Sequence, residues 1–386
     1  MLFTCNTSEL NKAIQTAQRA IVSKPSTPIF SCIHLLTNDD KLIVQAMDLN
    51  MAICCTLAAN ISEPGEIVVS AKHISELIRK LSTDTVTISK SQDNKTIKVT
   101  SGSSDYQLLL MNEDDYPKFP EVDANKSLTI PDDKIKELIK KTIFSCSSDD
   151  ARPLFTGILV EAKDDKLTFV GTNTHRLAVK FLPQPTEEPL NMIIPSKVLN
   201  EISRNLTSDM PQEVKISLLN NQIMVVIDDV TIVSRLIEGK FPDYNKVIPA
   251  KFAVKCQVNA KSLASAVERV ALFSTEGDYS TVKMIIGQGE MTLTSSSPDV
   301  GTGKEVLPCT TEGDSLNVAF NAKYILDILK NVDAEEVLLS MNTSLSPVCI
   351  TAPEEDNYIY IVTPVRVVFW EVLACKRKIS LLQQNA

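Results

Sequence analysis

The chain has little of what most enzymes and membrane proteins need. Glycine is scarce, 11 in 386 residues. Neither G-x-G-x-x-G nor G-x-x-x-x-G-K-[ST] occurs, so no loop that cradles phosphates with its backbone is expected. The segment Gly301-Thr302-Gly303-Lys304 is too short for one and reads as a plain loop. Only three histidines are present, His34, His73 and His175, far apart and without H-E-x-x-H. The nine cysteines stand singly apart from Cys54-Cys55, and no C-x-x-C occurs. That pattern speaks against a zinc site and fits buried, reduced thiols better than a disulfide framework. Neither a metal nor a cofactor is expected. No run of about 18 apolar residues occurs, which argues against a membrane span. The opening MLFTCNTSEL lacks the basic-then-apolar pattern of a signal peptide. A cytoplasmic location follows as the expectation.

What is present is a weak threefold repeat with a period near 125 residues: Lys41 corresponds to Lys166, and Leu81 to Leu206. Repeats are sought first because missing one misreads the whole fold. Each unit opens with a strand and an amphipathic helix, read from TSELNKAIQTA, PDDKIKELIKK and NAKSLASAVER. Apolar residues recur there at helical spacing (Leu10, Ala13, Ile14, Ala17; Ile135, Leu138, Ile139; Leu263, Ala266, Val267, Val270), which predicts one buried stripe per helix. Ser8, Asp132 and Ser262 stand where short oxygen-bearing side chains cap free N–H groups. A hairpin region follows, then a second strand and helix (IVVSAKHISELIRKL, MIIPSKVLNEISRNL, NVAFNAKYILDILKN), then closing strands. The fold class is α+β: three domains at 1–124, 125–251 and 252–367, each with two helices and antiparallel sheet. A C-terminal extension spans 368–386.

Charge is divided unevenly. Six helix windows (8–20, 71–81, 132–143, 196–206, 261–273 and 321–331) hold fifteen Lys and Arg against eight Asp and Glu, a net of +7. The whole chain carries −9, which leaves −16 on sheets and loops. If the helices share a surface, that surface is positive within an acidic body, as suits a protein that holds phosphates loosely. The competing explanation is that Lys and Arg are good helix formers decorating solvated faces.

Chemistry is harder to find. His175, within Thr172-Asn173-Thr174-His175-Arg176-Leu177, could serve as a general base, but no nucleophile stands in a recognisable context. The plainer reading makes it part of a hairpin surface or a binding pocket. Glu113-Asp114-Asp115 and Glu354-Glu355-Asp356 read as solvated turns. No catalytic site is expected.

Three repeats carrying SKPSTPIF, RPLFTGILVE, GTNTHRLAV, IIPSKVL, EGKFPDYNKVIP and YIYIVTPVRV resemble the bacterial DNA polymerase III beta subunit, or beta sliding clamp, family over residues 1 to about 367. The resemblance implies the DNA clamp fold: a head-to-tail homodimer forming a six-domain ring, with basic helices lining the hole. It implies a non-catalytic processivity factor that encircles double-stranded DNA without reading sequence. DNA contacts would fall at Lys24, Arg152 and Lys197, and among the basic helix residues at Arg79 and Lys140. Partners would dock a linear peptide into a pocket holding Phe155, Thr172, His175, Arg176, Leu177, Pro242, Val247, Val362, Pro364, Val365 and Arg366. Those partners would be the clamp loader, the replicative polymerase, repair polymerases and mismatch-repair proteins. The dimer contact would pair an edge strand around Tyr106-Gln107-Leu108 with one near 300–307, and Leu272 and Phe273 would pack beneath it with Tyr106. An intradomain core role stands as the alternative for Leu272.

Departures from the family pattern are local. Thr-Asn-Thr precedes His175 where Thr-Asp-Gly or Thr-Asp-Ser is commoner, and Lys246 stands where an arginine is familiar. Residues 368–386 run past the usual end, with the only tryptophan, Trp370, and the basic cluster Lys376-Arg377-Lys378. Phe369 or Trp370 packing near the pocket is one reading, and a tail without function is the other. A ring paralogue and a nucleic-acid hydrolase with a degenerate repeat are the competing functions.

Overall fold

Six segments with helical apolar spacing form helices: α1 (Thr7–Ala17), α2 (Ala71–Lys80), α3 (Asp132–Thr142), α4 (Ser196–Asn205), α5 (Ala260–Ala271) and α6 (Ala322–Leu329). These belong to a computed structural model that describes residues 1–22, 27–120, 126–186, 189–206, 212–219, 221–274 and 280–367. Lys24 and the extension 368–386 lie outside the described residues. The apolar stripes of α1, α3 and α5 are buried throughout. Each fully buried leucine or isoleucine contributes about 1.5–3 kcal/mol.

The caps differ from expectation. Asn6 Oδ1 accepts the N–H groups of Ser8 and Glu9 at 2.9 and 3.1 Å, and Asn259 Oδ1 accepts that of Ser262 at 2.9 Å. Asn321 does the same for Lys323 at 2.9 Å. In these helices the asparagine that ends the preceding strand is the cap. Ser8 and Ser262 are already in the first turn, and their N–H groups are the ones capped. Asp132 is likewise inside the helix, as its first residue, and its Oδ1 accepts the adjacent Asp133 N–H at 2.8 Å.

The chain divides into two units, residues 1–139 with 192–239, and residues 140–191 with 240–386. The division follows hydrogen-bonded sheets rather than the sequence repeat. In the first unit a thirteen-stranded sheet runs Lys126–Pro131, Glu213–Leu219, Gln222–Ile227, Val230–Arg235, Met51–Ala58, Lys41–Met47, Cys32–Asn38, Glu66–Ser70, Ser104–Met111, Thr96–Ser101, Thr85–Lys90, Leu2–Asn6 and Asn60–Glu63. Its seam pairs Val230–Arg235 antiparallel with Met51–Ala58, Val230 opposite Cys55 and Ser234 opposite Met51. The strand Ser104–Met111 pairs along its length with Thr96–Ser101. On its other side only Leu110 and Met111 meet Glu66–Ser70. Residues 104–109 therefore leave one side of the strand open among the described residues. Two of its exposed side chains are large and apolar, Tyr106 at 40% and Leu109 at 77%, beside the polar Ser104, Asp105 and Gln107.

In the second unit eight strands run Gly157–Lys163, Lys166–Thr172, Arg176–Pro183, Tyr358–Val362, Val348–Thr351, Glu336–Met341, Val254–Asn259 and Thr310–Glu312. The seam sets Leu177 opposite Ile361 and Arg176 opposite Val362. A second sheet runs Gly301–Pro308, Glu290–Ser297, Thr281–Ile286 and Leu316–Asn321. α5 and α6 pack on these sheets over a core that includes Leu263, Val267, Ile325, Ile328, Met284 and Leu339.

Gly301-Thr302-Gly303-Lys304 is not a loop but the start of that outermost strand. Its glycine has a packing reason: a Cβ at Gly303 would lie 2.5 Å from the Phe273 ring, which rests on the strand. Glu354-Glu355-Asp356 is not simply a solvated turn either. The Lys180 ammonium, 2% exposed, donates to Glu355 at 2.6 Å and to Asn357 at 2.8 Å. Lys141, 3% exposed, lies 3.5 Å from Glu355 and 2.9 Å from Asp333. The Lys141 ammonium beside Asp333 holds its carboxyl below the usual aspartate range. One of the fifteen helix cations is thus internal, offset by carboxylates, because burying an ammonium unpaired is too costly.

Candidate functional site

The second unit holds a cavity of about 330 Å³ built around one turn. Between the strands Lys166–Thr172 and Arg176–Pro183, Asn173 Oδ1 accepts the N–H groups of His175 and Arg176, each at 3.0 Å. Thr172 Oγ1 donates to the Arg176 carbonyl at 2.7 Å and accepts the Thr174 N–H at 3.1 Å. This closure forces Thr174 to φ +75°. A β-branched residue is uncommon in the left-handed region, where a side chain costs about 1–2 kcal/mol. Thr174→Gly is expected to raise stability by about 0.5–1 kcal/mol, the relief being partly offset by glycine's greater unfolded-state entropy. A thermal-unfolding midpoint that falls instead would show that Thr174 is not strained.

The walls are mostly apolar: Phe155, Leu177, Phe241, Pro242, Val247, Pro347 and Ile361, with Thr172, Thr174 and Thr363 at intervals. Phe155 meets Phe241 edge-on, ring centres 6.0 Å apart and planes at 82°. The Tyr244 hydroxyl donates to Glu161 at 3.0 Å. Burial, with that carboxylate alongside, pushes the hydroxyl well above the usual phenol range. Such a cavity suits apolar side chains with a few polar anchors.

Of the residues expected here, Phe155, Thr172, Arg176, Leu177, Pro242 and Val247 line the cavity. His175, Val362, Pro364, Val365 and Arg366 are not in its lining. Strand alternation explains part of this: Ile361 and Thr363 face the cavity, which turns Val362 and Pro364 away from it into burial. His175 is exposed on the turn, and its carbonyl accepts the Thr363 N–H at 2.9 Å. Val365 donates its N–H to the Ala319 carbonyl at 2.7 Å, and Arg366 is exposed beyond it. Sequence reasoning missed Thr174, Phe241, Asp243, Tyr244, Pro347, Ile361 and Thr363. A signal existed for Phe241: GKFPDY repeats the DDYPKF tail of the first unit.

Arg176 contributes its backbone and stem rather than a free charge. Its side chain is 6% exposed and its guanidinium bonds Asp327 and the Phe144 carbonyl. It also lies 4.6 Å above the Tyr324 ring, a cation–π arrangement.

The candidate DNA-contact residues are placed unit by unit. In the first, Arg79 is exposed in the last turn of α2, and Lys197, half exposed, lies 3.7 Å from Asp48. In the second, Arg152 is exposed and reaches Thr174 Oγ1 at 3.4 Å, while Lys140 lies 3.6 Å from Asp333. Lys197 and Lys140 therefore already have carboxylate neighbours. Of the residues expected at a dimer contact, Tyr106 is exposed and Leu108 half-buried on the open strand. Leu272 is 72% exposed, so it is not core, and Phe273 is half-buried against Gly303.

Four of the described thiols are held in the protonated form. Burial pushes the thiols of Cys5, Cys55, Cys146 and Cys256 up to about 12, so they stay protonated. Among the described residues no His, Cys, Asp and Glu cluster could hold a metal ion. No helix among them is long and apolar enough to cross a membrane.

Repeated helix-and-sheet units joined by antiparallel seams, with a mostly apolar cavity beside one of them, are the architecture of a DNA clamp. Family models of the DNA polymerase III beta subunit match in order: the N-terminal domain at residues 1–120, the central domain at 129–243 and the C-terminal domain at 245–366. The beta sliding clamp of Bacillus subtilis is 30% identical over 378 residues, covering 95% of this chain and all of that one. The crystal structure of the B. subtilis sliding clamp superposes with a TM-score of 0.91 at 28% identity, again over 95% of this chain and 100% of that one. A Pseudomonas aeruginosa clamp solved bound to griselimycin gives 0.89 at 26% identity with the same coverage. The chain belongs to the DNA polymerase III beta subunit family: it is a sliding clamp, a non-catalytic processivity factor for a DNA polymerase.

Proposed function

We propose that two copies of this chain, each of three domains at 1–124, 125–251 and 252–367, join head to tail as a ring around duplex DNA in the cytoplasm. The clamp loader, the replicative polymerase, repair polymerases and mismatch-repair proteins then dock a linear peptide in the cavity beside Phe155, Leu177 and Val247. The observation that carries the ring is the open side of residues 104–109, with Tyr106 and Leu109 exposed, matched by an outermost strand, Gly301–Pro308, with Val306 50% exposed. Unpaired strand edges call for a partner strand, and each copy offers one in each of its two units. Arg79, Arg152, Lys140, Lys197 and Lys24 supply phosphate contacts, which position without reading sequence.

The reading is tested by loading the protein onto nicked circular DNA with its cognate loader, then linearising the circle. Retention on the circle followed by loss over the new ends is expected. Retention that survives linearisation and falls steeply with added salt means ordinary phosphate binding, and the ring would be abandoned.

A further inference from the structure

The first unit carries a second cavity, of about 280 Å³, lined among others by Phe30, Leu49, Ala52, Pro117, Lys118 and Arg235. It is the counterpart of the cavity described above, residue by residue along the repeat. Phe30 stands for Phe155, Ala52 for Leu177 and Pro117 for Pro242. The backbone repeats as well. Asp48 Oδ1 accepts the N–H groups of Asn50 and Met51 at 2.8 and 2.7 Å, as Asn173 does for His175 and Arg176. Arg235 donates its N–H to the Asn50 carbonyl at 2.9 Å, as Thr363 does to that of His175. Val233 lies opposite Ala52 as Ile361 lies opposite Leu177. The floor is formed by Met47, Ala52 and Val233, which belong to an apolar cluster with Ile29 and Tyr116.

What differs is charge. Lys118 replaces Asp243, and Arg235 replaces Thr363. Both cations are exposed, and neither has a carboxylate partner among the described residues. The carboxylate at this cavity, Asp48, is 10% exposed, held by its turn and 3.7 Å from Lys197.

We propose that this cavity is a second peptide-docking site, selective for an apolar segment flanked by Asp or Glu in a partner protein. The apolar floor takes the side chain, and Lys118 with Arg235 draws the acidic flank. The inference rests on the reading of the other cavity as a peptide site only for the form of the occupant. A chain with both sites can hold two partners whose peptides differ in flanking charge.

The probe is a fluorescein-labelled peptide, Asp-Glu-Leu-Phe-Glu-Asp, titrated into the full-length protein and read by anisotropy, beside its charge-reversed version, Lys-Arg-Leu-Phe-Lys-Arg. Val247→Asp closes the second unit's cavity and Leu49→Asp closes this one. Both residues are substantially exposed, 48% and 62%, so neither change disturbs the core. The Val247→Asp protein is expected to keep one acidic-peptide site, weakened at least tenfold by Leu49→Asp. The double variant Lys118→Glu, Arg235→Glu should reverse the peptide preference at that site. No binding in the Val247→Asp protein overturns the inference and leaves the other cavity as the sole docking site. Residual binding indifferent to Leu49→Asp overturns it too. Binding abolished by Leu49→Asp but untouched by Val247→Asp supports it, with the acidic probe confined to this cavity. Displacement by a short thymidine oligonucleotide at lower concentration than by unlabelled peptide assigns the site to nucleic acid instead, and the inference fails.

Discussion

An Asp327→Ala protein is expected to lose about 3–5 kcal/mol of stability, because it leaves a buried guanidinium without its counter-charge. Arg176 is 6% exposed, and its remaining contacts would be the Phe144 carbonyl and the Tyr324 and Phe144 rings. The loss reaches the cavity, since the Arg176 carbonyl accepts the Thr172 hydroxyl that closes the turn. A urea titration reads the effect as a lower midpoint. The paired replacement Arg176→Met, Asp327→Leu separates charge from packing, and it should recover most of the stability, as removing both ions from a buried pair often does. If Asp327→Ala unfolds at the wild-type midpoint, the pair contributes nothing and Arg176 is held by its rings alone.

Val247→Asp is expected to weaken binding of a peptide carrying the clamp-binding segment of its polymerase by about ten- to a hundredfold, or about 1.4–2.8 kcal/mol. Val247 is 48% exposed, so the free protein tolerates the change. The penalty arises on binding, when the peptide seals a carboxylate against Phe155, Leu177 and Pro242 and desolvates it without a cation. Anisotropy of the labelled peptide measures affinity, and primer extension measures product length, which should shorten; loading should weaken with it, since the loader is proposed to dock in the same cavity. Unchanged affinity would move the docking site elsewhere on the chain.

The helices and the threefold repeat were legible because a buried stripe imposes a period that any window of eleven residues displays. The cap residues were missed by two or three positions, since an asparagine ending a strand carries no apolar signal of its own. The cavity was partly legible. Phe155, Leu177 and Pro242 sit in distinctive segments, whereas choosing Val362 over Ile361 depends on strand parity, which a single-residue slip inverts. The ionic cluster was not legible at all. Lys140 and Lys141 are adjacent and chemically alike, yet one is half exposed and the other 3% exposed. Only the packing against Tyr358 and Glu355, more than 200 residues away in sequence, distinguishes them. The seams are of the same kind. Val230 meets Cys55 through a pairing for which neither strand carries a local mark.

The open side of residues 104–109 has a consequence for handling the protein. Apart from Asp105 it carries no charge or proline to discourage strangers, and Tyr106 and Leu109 add apolar surface to its unmet backbone groups. If the proposed pairing is what covers this edge, an unpaired copy is expected to adhere to extended chains, including nascent or partly unfolded copies of itself. Dilution or prolonged storage of such a copy should then produce β-rich precipitate rather than well-behaved monomer.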